Sequence, residues 1–371
     1  MDAEPTKKHT GGNTVEGDSS TQTPTRFDQV QAATRDRDYY WFANDGNLIL
    51  VSQGVAFRVY KELLAEQSGV FRSMFYTGQA TPEEEDLADG CPVVPLDDSP
   101  NDLRKLKFWH IYPLSVQRRK GRVDIAIISA GIIRLDHKYQ LKGLYEEALS
   151  YLTTYYTATS FDAWVDGHNA AQWQPDAIWH AIRAINLARL TNTVIILPTA
   201  FYICATLGPD LRVLRGSTLE DGSTEQLTLE DMHLVLEMKA RLAVENARTA
   251  FLLFRPPDVQ VCGPTLSRKA KCGEVRRRLL EHAGLSKAPH PVASERALDS
   301  WVTNADSLPV FAPTPGPLGS VALVPGVGWY QPCRLCEACR NHFQARDREL
   351  RREVWRRLPE FLGLTVEGWD T

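Results

Sequence analysis

The sequence predicts an α+β unit followed by an all-α region and a short cysteine-rich segment with a terminal helix. Three observations carry that prediction. Residues 45–60, "DGNLILVSQGVAFRVY", read as two short β-prone runs joined by glycine-containing turn chemistry, and "KELLAEQSGVFRSMF" after them reads as two helices. Beyond residue 158 the apolar residues recur at helical spacing, in "PDAIWHAIRAINLARLTN" and "LTLEDMHLVLEMKARLAVENARTAFLLF". Near the end, "CRLCEAC" precedes an arginine-rich stretch with one apolar stripe.

Taken in order, residues 1–36 open with "MDAEPTKKHTGGNTVEGDSSTQTPTRFDQ", which has no apolar core of the kind a secretory signal needs and is expected to be a disordered tail. The hairpin turns at Gln53-Gly54, and Val55, Phe57 and Val59 alternate after it. Lys61 to Gln67 favours helix, with Leu63 and Leu64 expected to face inward. Ser68 is placed to cap a second helix that carries Val70, Phe71, Met74 and Phe75 on one face. Phe57, Leu63, Leu64, Phe71, Met74 and Phe75 are therefore expected in the core, where burial of each contributes roughly 1.5–3 kcal/mol.

Val93, Val94 and Leu96 form a third strand-like run. Ser99-Pro100 starts a helix, with serine at the cap and proline at the first helical position. "YQLKGLYEEALSYLTTYY" places Leu141, Leu144, Ala148, Leu149 and Leu152 on one helical face and closes the α+β unit at residue 158. Residues 159–306 read as all-α. The Pro-, Gly- and Ala-rich residues 307–328 read as a linker or long loop, and 329–371 hold the cysteine segment and an amphipathic helix with Phe343, Leu350, Val354 and Leu358 on its apolar side.

Composition narrows the function. Apolar residues make up 43% and charged residues 24% of the 371, the balance of folded globular domains. With 42 basic against 46 acidic residues, the chain as a whole has no charge bias towards nucleic acid or membrane. The most apolar stretch, "VIILPTAFYICATL" (194–207), is shorter than a bilayer crossing and contains Pro198, so it is expected to be buried core. Seven cysteines and no Asn-x-Ser/Thr acceptor point to a reducing intracellular compartment, cytoplasmic or nuclear.

The segments "LILVSQGVAFRVYKELLAEQSGVFRSMF", "VVPLDDSPNDLRKL" and "IIRLDHKYQLKGLYEEALSYL" resemble a BTB/POZ domain, here spanning 37–158. The chain as a whole resembles a large group of BTB-domain proteins of mushroom-forming fungi, in which a helical region and a short Cys-x-x-Cys segment follow the domain. Two features depart from that pattern: Tyr60 stands where the family usually has histidine, and residues 105–130 do not look like the family's helix, Pro-rich connector and second helix. The resemblance implies a small sheet with a helical cluster, serving self-association as a homodimer or docking of a partner protein. A more specific implication is an adaptor that links a substrate to a cullin-type ubiquitin ligase.

Chemistry concentrates in the cysteines. Cys-x-x-Cys brings two thiolates into one tetrahedral site and a second pair completes a structural zinc. Cys262 and Cys272 are the candidates for that second pair; the resemblance favours Cys336 and Cys339 as the first and leaves Cys333 surplus. The competing reading is a set of free thiols near helix ends. A redox motif lacks its βαβ setting and an iron–sulfur site lacks a fourth nearby cysteine. The basic stretches 268–282 and 340–358 suggest an alternative, a transcriptional or chromatin factor touching nucleic acid, although acidic residues interleave the second stretch as in a solvated amphipathic helix. Asp97 and Asp98 read as turn and cap residues. His110, His137, His180, His233 and His282 are scattered without a nucleophile, and no catalytic motif is present, so the chain is expected not to be an enzyme.

Overall fold

The computed structural model describes residues 25–36, 46–76, 87–104, 122–141, 144–156, 160–169, 177–206, 212–218, 224–255, 262, 266–283, 292–301, 311–313, 322–324, 328–332 and 335–370. It is a mixed α+β structure with two compact units, which divide between Pro100 and Asn101 rather than at residue 158.

The first unit is built on a five-stranded sheet in the order β1-β3-β2-β5-β4, formed by β1 (Thr34–Arg35), β2 (Leu48–Ser52), β3 (Val55–Val59), β4 (Leu87–Ala88) and β5 (Cys91–Leu96). Strands β2 and β3 are the expected hairpin, with Leu50 opposite Phe57. Gln53 and Gly54 both take positive φ, 43° and 76°, which matches the twist that two-residue hairpins require. After two helices, β5 returns parallel to β2, so β2 is buried along its whole length. Ile49, Val51, Ala56 and Val93 form one face of this core together with Val30.

Val30 belongs to α1 (Arg26–Ala32), inside the stretch expected to be a disordered tail. The Thr25 hydroxyl accepts from the Asp28 amide and the Asp28 carboxylate accepts from the Thr25 amide, a capping box that starts the helix, and β1 then pairs with β3. Residues 1–24 of the tail lie outside the described residues.

Helices α2 (Lys61–Gln67) and α3 (Gly69–Tyr76) form the corner. Asn47 holds the start of α2: its side chain accepts from the Lys61 amide at 2.8 Å and donates to Glu62 at 2.7 Å. Buried Ser68 caps α3 as expected, its hydroxyl accepting from the Phe71 amide at 2.9 Å. Phe57, Phe71 and Phe75 are buried, and the last two stack with ring centroids 5.5 Å apart. Leu64 is half-buried, whereas Leu63 and Met74 are exposed, at 43% and 36%, against the expectation that they are core. Helical geometry gives the reason. Helix α2 turns Ala65 inward, and Leu63 sits about 200° away from it; Met74 sits about 80° off the Phe71–Phe75 line.

The second unit is mainly helical. Its elements are α4 (Arg122–Tyr139), α5 (Leu144–Tyr156), α6 (Phe161–Asn169), α7 (Ala177–Leu190), α8 (Leu197–Thr206), α9 (Arg212–Arg215), α10 (Leu229–Phe254), α11 (Leu266–Ala283) and α12 (Glu337–Phe361). Helix α8 is buried at every residue and packs on α7, α10 and α12, as expected of a core segment. Among the described residues, no helix is long and apolar enough to cross a membrane. Ala148 and Leu152 of α5 are buried and Leu149 half-buried. Helix α4 packs against α5 and α7, and Arg134 on it makes a two-pronged contact with Asp102, so these elements belong to the helical unit and not to the sheet unit.

Two short sheets interrupt the helical reading. Strands β6 (Ser217–Thr218) and β7 (Thr224–Glu225) pair as a hairpin. Strands β8 (Phe311–Pro313) and β9 (Ala322–Val324), in the stretch read as a linker, pair antiparallel with β10 (Gly328–Pro332) at the start of the cysteine segment; the two three-residue runs are too short for alternation to show in the sequence. Of residues 105–130, 105–121 lie outside the described residues and 122–130 open α4.

Candidate metal centre

The four cysteines singled out by spacing come together. The Sγ atoms of Cys262, Cys272, Cys336 and Cys339 all lie within 4.8 Å of one another. Cys262 is 3.7 Å from Cys336 and 3.1 Å from Cys339, sulfur to sulfur, well beyond the ~2.05 Å of a disulfide. Cys262 lies just ahead of α11 and Cys272 on it; Cys336 is the N-cap of α12 and Cys339 lies in its first turn. Helix α12 starts at the second cysteine because "CEAC" leaves Cys336 extended while its carbonyl already accepts from the Arg340 amide. Cys-x-x-Cys across a helix start thus turns both thiols to one side.

Electrostatics explain what the cluster asks for. The Cys336 thiol is pulled down to about 7, chiefly by the Cys339 backbone amide that donates to it, with help from the neighbouring thiols. Burial pushes the Cys339 and Cys272 thiols up. The Cys336 amide donates to Cys272 Sγ at 3.4 Å, a partial compensation. One thiolate at the helix N-terminus is therefore easy and four are not, unless a cation neutralises them.

The donor set fits a metal ion. Four sulfurs each ~2.3 Å from a tetrahedral zinc stand about 3.8 Å apart, and the observed separations bracket that value. Four protein thiols fill all four positions and leave none for a substrate or water, the arrangement of a structural site. Cys333 lies outside the described residues, as does His110.

Beneath the cluster is the core it would fasten. Ala250, Leu253 and Phe254 of α10, Val275 and Leu279 of α11, Phe343 and Leu350 of α12, and Trp301 form one buried group, with Leu335 packed on it. Phe254 meets Trp301 edge-on at 5.8 Å and Phe343 at 5.4 Å, and the Arg276 guanidinium lies 6.0 Å from the Phe343 ring centre.

Seven arginines of the two basic stretches are engaged in ion pairs: Arg277, Arg278, Arg348, Arg351, Arg352, Arg356 and Arg357. Arg348 and Arg352 both bind Asp162, holding its carboxyl below the usual range; Arg356 binds Asp370, and Arg357 binds Glu245 and Glu360. Arg351 forms a buried pair with Asp347 at 2.8 Å. On α11, Arg277 and Arg278 share Glu274 and bring its carboxyl down to about 2. The apolar stripe expected on α12 is buried as read: Phe343, Leu350, Val354 and Leu358.

Sequence reasoning missed that Leu63 and Met74, like Tyr60 and Tyr76 of the same corner, are exposed. Tyr60 is exposed at 37% and Tyr76 at 56%, with Lys61 Nζ 4.4 Å from the Tyr76 ring centre. The signal was the pair Phe71 and Phe75, whose (i, i+4) spacing fixes the inward face and leaves Met74 to the side. No family model matches the chain, and no curated protein matches it.

Proposed function

We propose that the chain is a non-enzymatic protein-interaction protein of BTB/POZ type, in which the first unit docks a protein partner and the second is a helical receptor region closed by a structural zinc. The observation that carries the docking role is the exposure of Leu63 and Met74, with Tyr60 and Tyr76, on the two short helices and their start, where the helical cluster of such a domain meets its partner. The connectivity of hairpin, two short helices and parallel return strand supports the BTB reading. Zinc is the occupant that a tetrahedral all-thiolate set selects, and when bound it supplies the charge that lets all four sulfurs ionise. The ion pairs that occupy Arg277 and Arg278 of α11 and Arg348, Arg351, Arg352, Arg356 and Arg357 of α12 weigh against the nucleic-acid alternative.

The docking reading is tested by affinity purification of the intact protein from its own cell type in mild salt, beside a Leu63→Asp/Met74→Asp variant. Enrichment of a cullin with its ring-finger subunit, lost in the variant, is the expected result. Recovery of the same proteins with both chains, or of chromatin components instead, overturns the adaptor assignment. Metal analysis of the purified chain is expected to give one zinc per molecule, and a substoichiometric content rejects the zinc assignment.

A further inference from the structure

Helix α10 is apolar on two sides. Its inner side buries Val235, Met238, Leu242, Ala250 and Leu253. On its outer side Leu229, Leu236, Val244 and Phe251 are exposed at 78%, 53%, 66% and 67%. A single exposed leucine is ordinary, but these four fall in one line. At ~100° per residue, Leu229, His233, Leu236, Ala240, Val244, Ala247 and Phe251 all lie within about 40° of one meridian, a stripe roughly 33 Å long in which no Asp, Glu, Lys or Arg falls.

The charges beside the stripe are sorted by position. One flank, about 60–100° round the helix, carries Glu230 and Glu237 in the N-terminal half and Arg241 and Arg248 in the C-terminal half. Glu237, Arg241 and Arg248 have exposed side chains, at 39%, 45% and 50%, and Glu230 is exposed too; within one chain Arg241 binds Glu237 at 2.6 Å and Arg248 binds Glu245 at 3.3 Å, so a second copy would share these exposed pairs rather than meet bare charges. The distribution is self-complementary. If a second copy of the helix runs antiparallel with Ala240 on the two-fold axis, Leu229 faces Phe251 of the second copy and Leu236 faces its Val244. In the same register Glu230 meets Arg248 and Glu237 meets Arg241, each pair twice, because antiparallel helices bring like flanks together. The small side chain of Ala240 sits where the two backbones come nearest.

We propose that the outer face of α10 is a self-association surface whose occupant is the same face of a second copy of this chain, antiparallel and centred on Ala240. It is separate from the docking face on α2 and α3 and does not depend on it.

The test uses the full chain in sedimentation velocity over a micromolar concentration series, with circular dichroism and thermal melting to confirm that each variant is folded. One variant carries Glu230→Arg and Glu237→Arg, giving an all-basic flank; the other carries Arg241→Glu and Arg248→Glu, giving an all-acidic one. Each alone is expected to associate at least roughly tenfold more weakly than the natural chain, since every cross-axis pair becomes repulsive, and an equimolar mixture of the two is expected to recover the association. Leu236→Glu is expected to lose it with no recovery on mixing. Because any association through the first unit is common to all these chains, only the differences count. A natural chain that stays monomeric, variants that associate as it does, or a mixture that stays as weak as its components overturns the proposal.

Discussion

If a metal ties Cys262 and Cys272 to Cys336 and Cys339, its removal should release α11 locally and leave the helical layer behind it standing. The magnitude follows from what else holds α11. Its buried apolar anchors are Val275 and Leu279, with Leu280 partly buried, and each full burial is worth about 2 kcal/mol. Some 4 kcal/mol of anchoring is well below the ~10 kcal/mol or more that a structural zinc supplies to the element it closes. Helix α12, by contrast, keeps Val354, Trp355 and Leu358 buried at 1% or less far beyond the cysteines. Chelation should therefore bring amide protection over residues 266–283 and the first turns of α12 down to about 10³ or lower, at ~1.4 kcal/mol per factor of ten, while α8 and the middle of α10 keep theirs. Hydrogen exchange read by mass spectrometry, with and without chelator, measures this segment by segment. Equal protection in both conditions would show that packing alone holds α11 and would refute the metal's structural role.

Three further outcomes follow from particular side chains. Asp347→Ala should cost about 3–5 kcal/mol in denaturant unfolding, because it strands the Arg351 guanidinium, itself buried, and removes the acceptor of the Ser300 hydroxyl and the Trp301 amide. In the first unit, Phe71→Ala should cost about 3–5 kcal/mol, whereas Leu63→Ala should stay within ~0.5 kcal/mol, and equal losses would mean that Leu63 is core after all. In metal-free protein, alkylation should strike Cys336 first. Its thiol, drawn down to about 7 by the Cys339 amide, is half ionised near neutrality, while burial keeps Cys339 and Cys272 protonated to higher pH; a pH series of labelling resolved by peptide mass should show that order.

How much of this was legible in the sequence depended on range. The hairpin, the Ser68 cap and the buried stripe of α12 are decided by neighbours a few residues apart, so local spacing exposes them. The Thr25–Asp28 capping box was equally local but lay in a polar stretch whose composition suggested disorder. Cys336 and Cys339 announce themselves as a pair; that Cys262, 74 residues before Cys336, joins them depends on how α10, α11 and α12 pack, which no spacing rule contains. Leu63 and Met74 were misplaced for a different reason. A helix of seven or eight residues has too few turns to fix its inward face, and two aromatic rings at Phe71 and Phe75 decide it.

Helix α10 carries the same lesson to a functional consequence. Its 26 residues read as one helical pattern, yet the apolar positions belong to two faces, one meeting α8, α11 and α12 and the other meeting water in the single chain. A helix apolar on both sides offers its second side as surface that association can cover. If a second copy covers it, association is linked to folding, because an unfolded chain presents no such stripe, and stability must rise with protein concentration. The melting temperature of the natural chain is therefore expected to climb across a hundredfold concentration range while that of Leu236→Glu stays level. The substitution sits on an exposed position and removes no buried contact, so a concentration-independent melting temperature in both chains would mean that the outer face of α10 is solvated in the native protein.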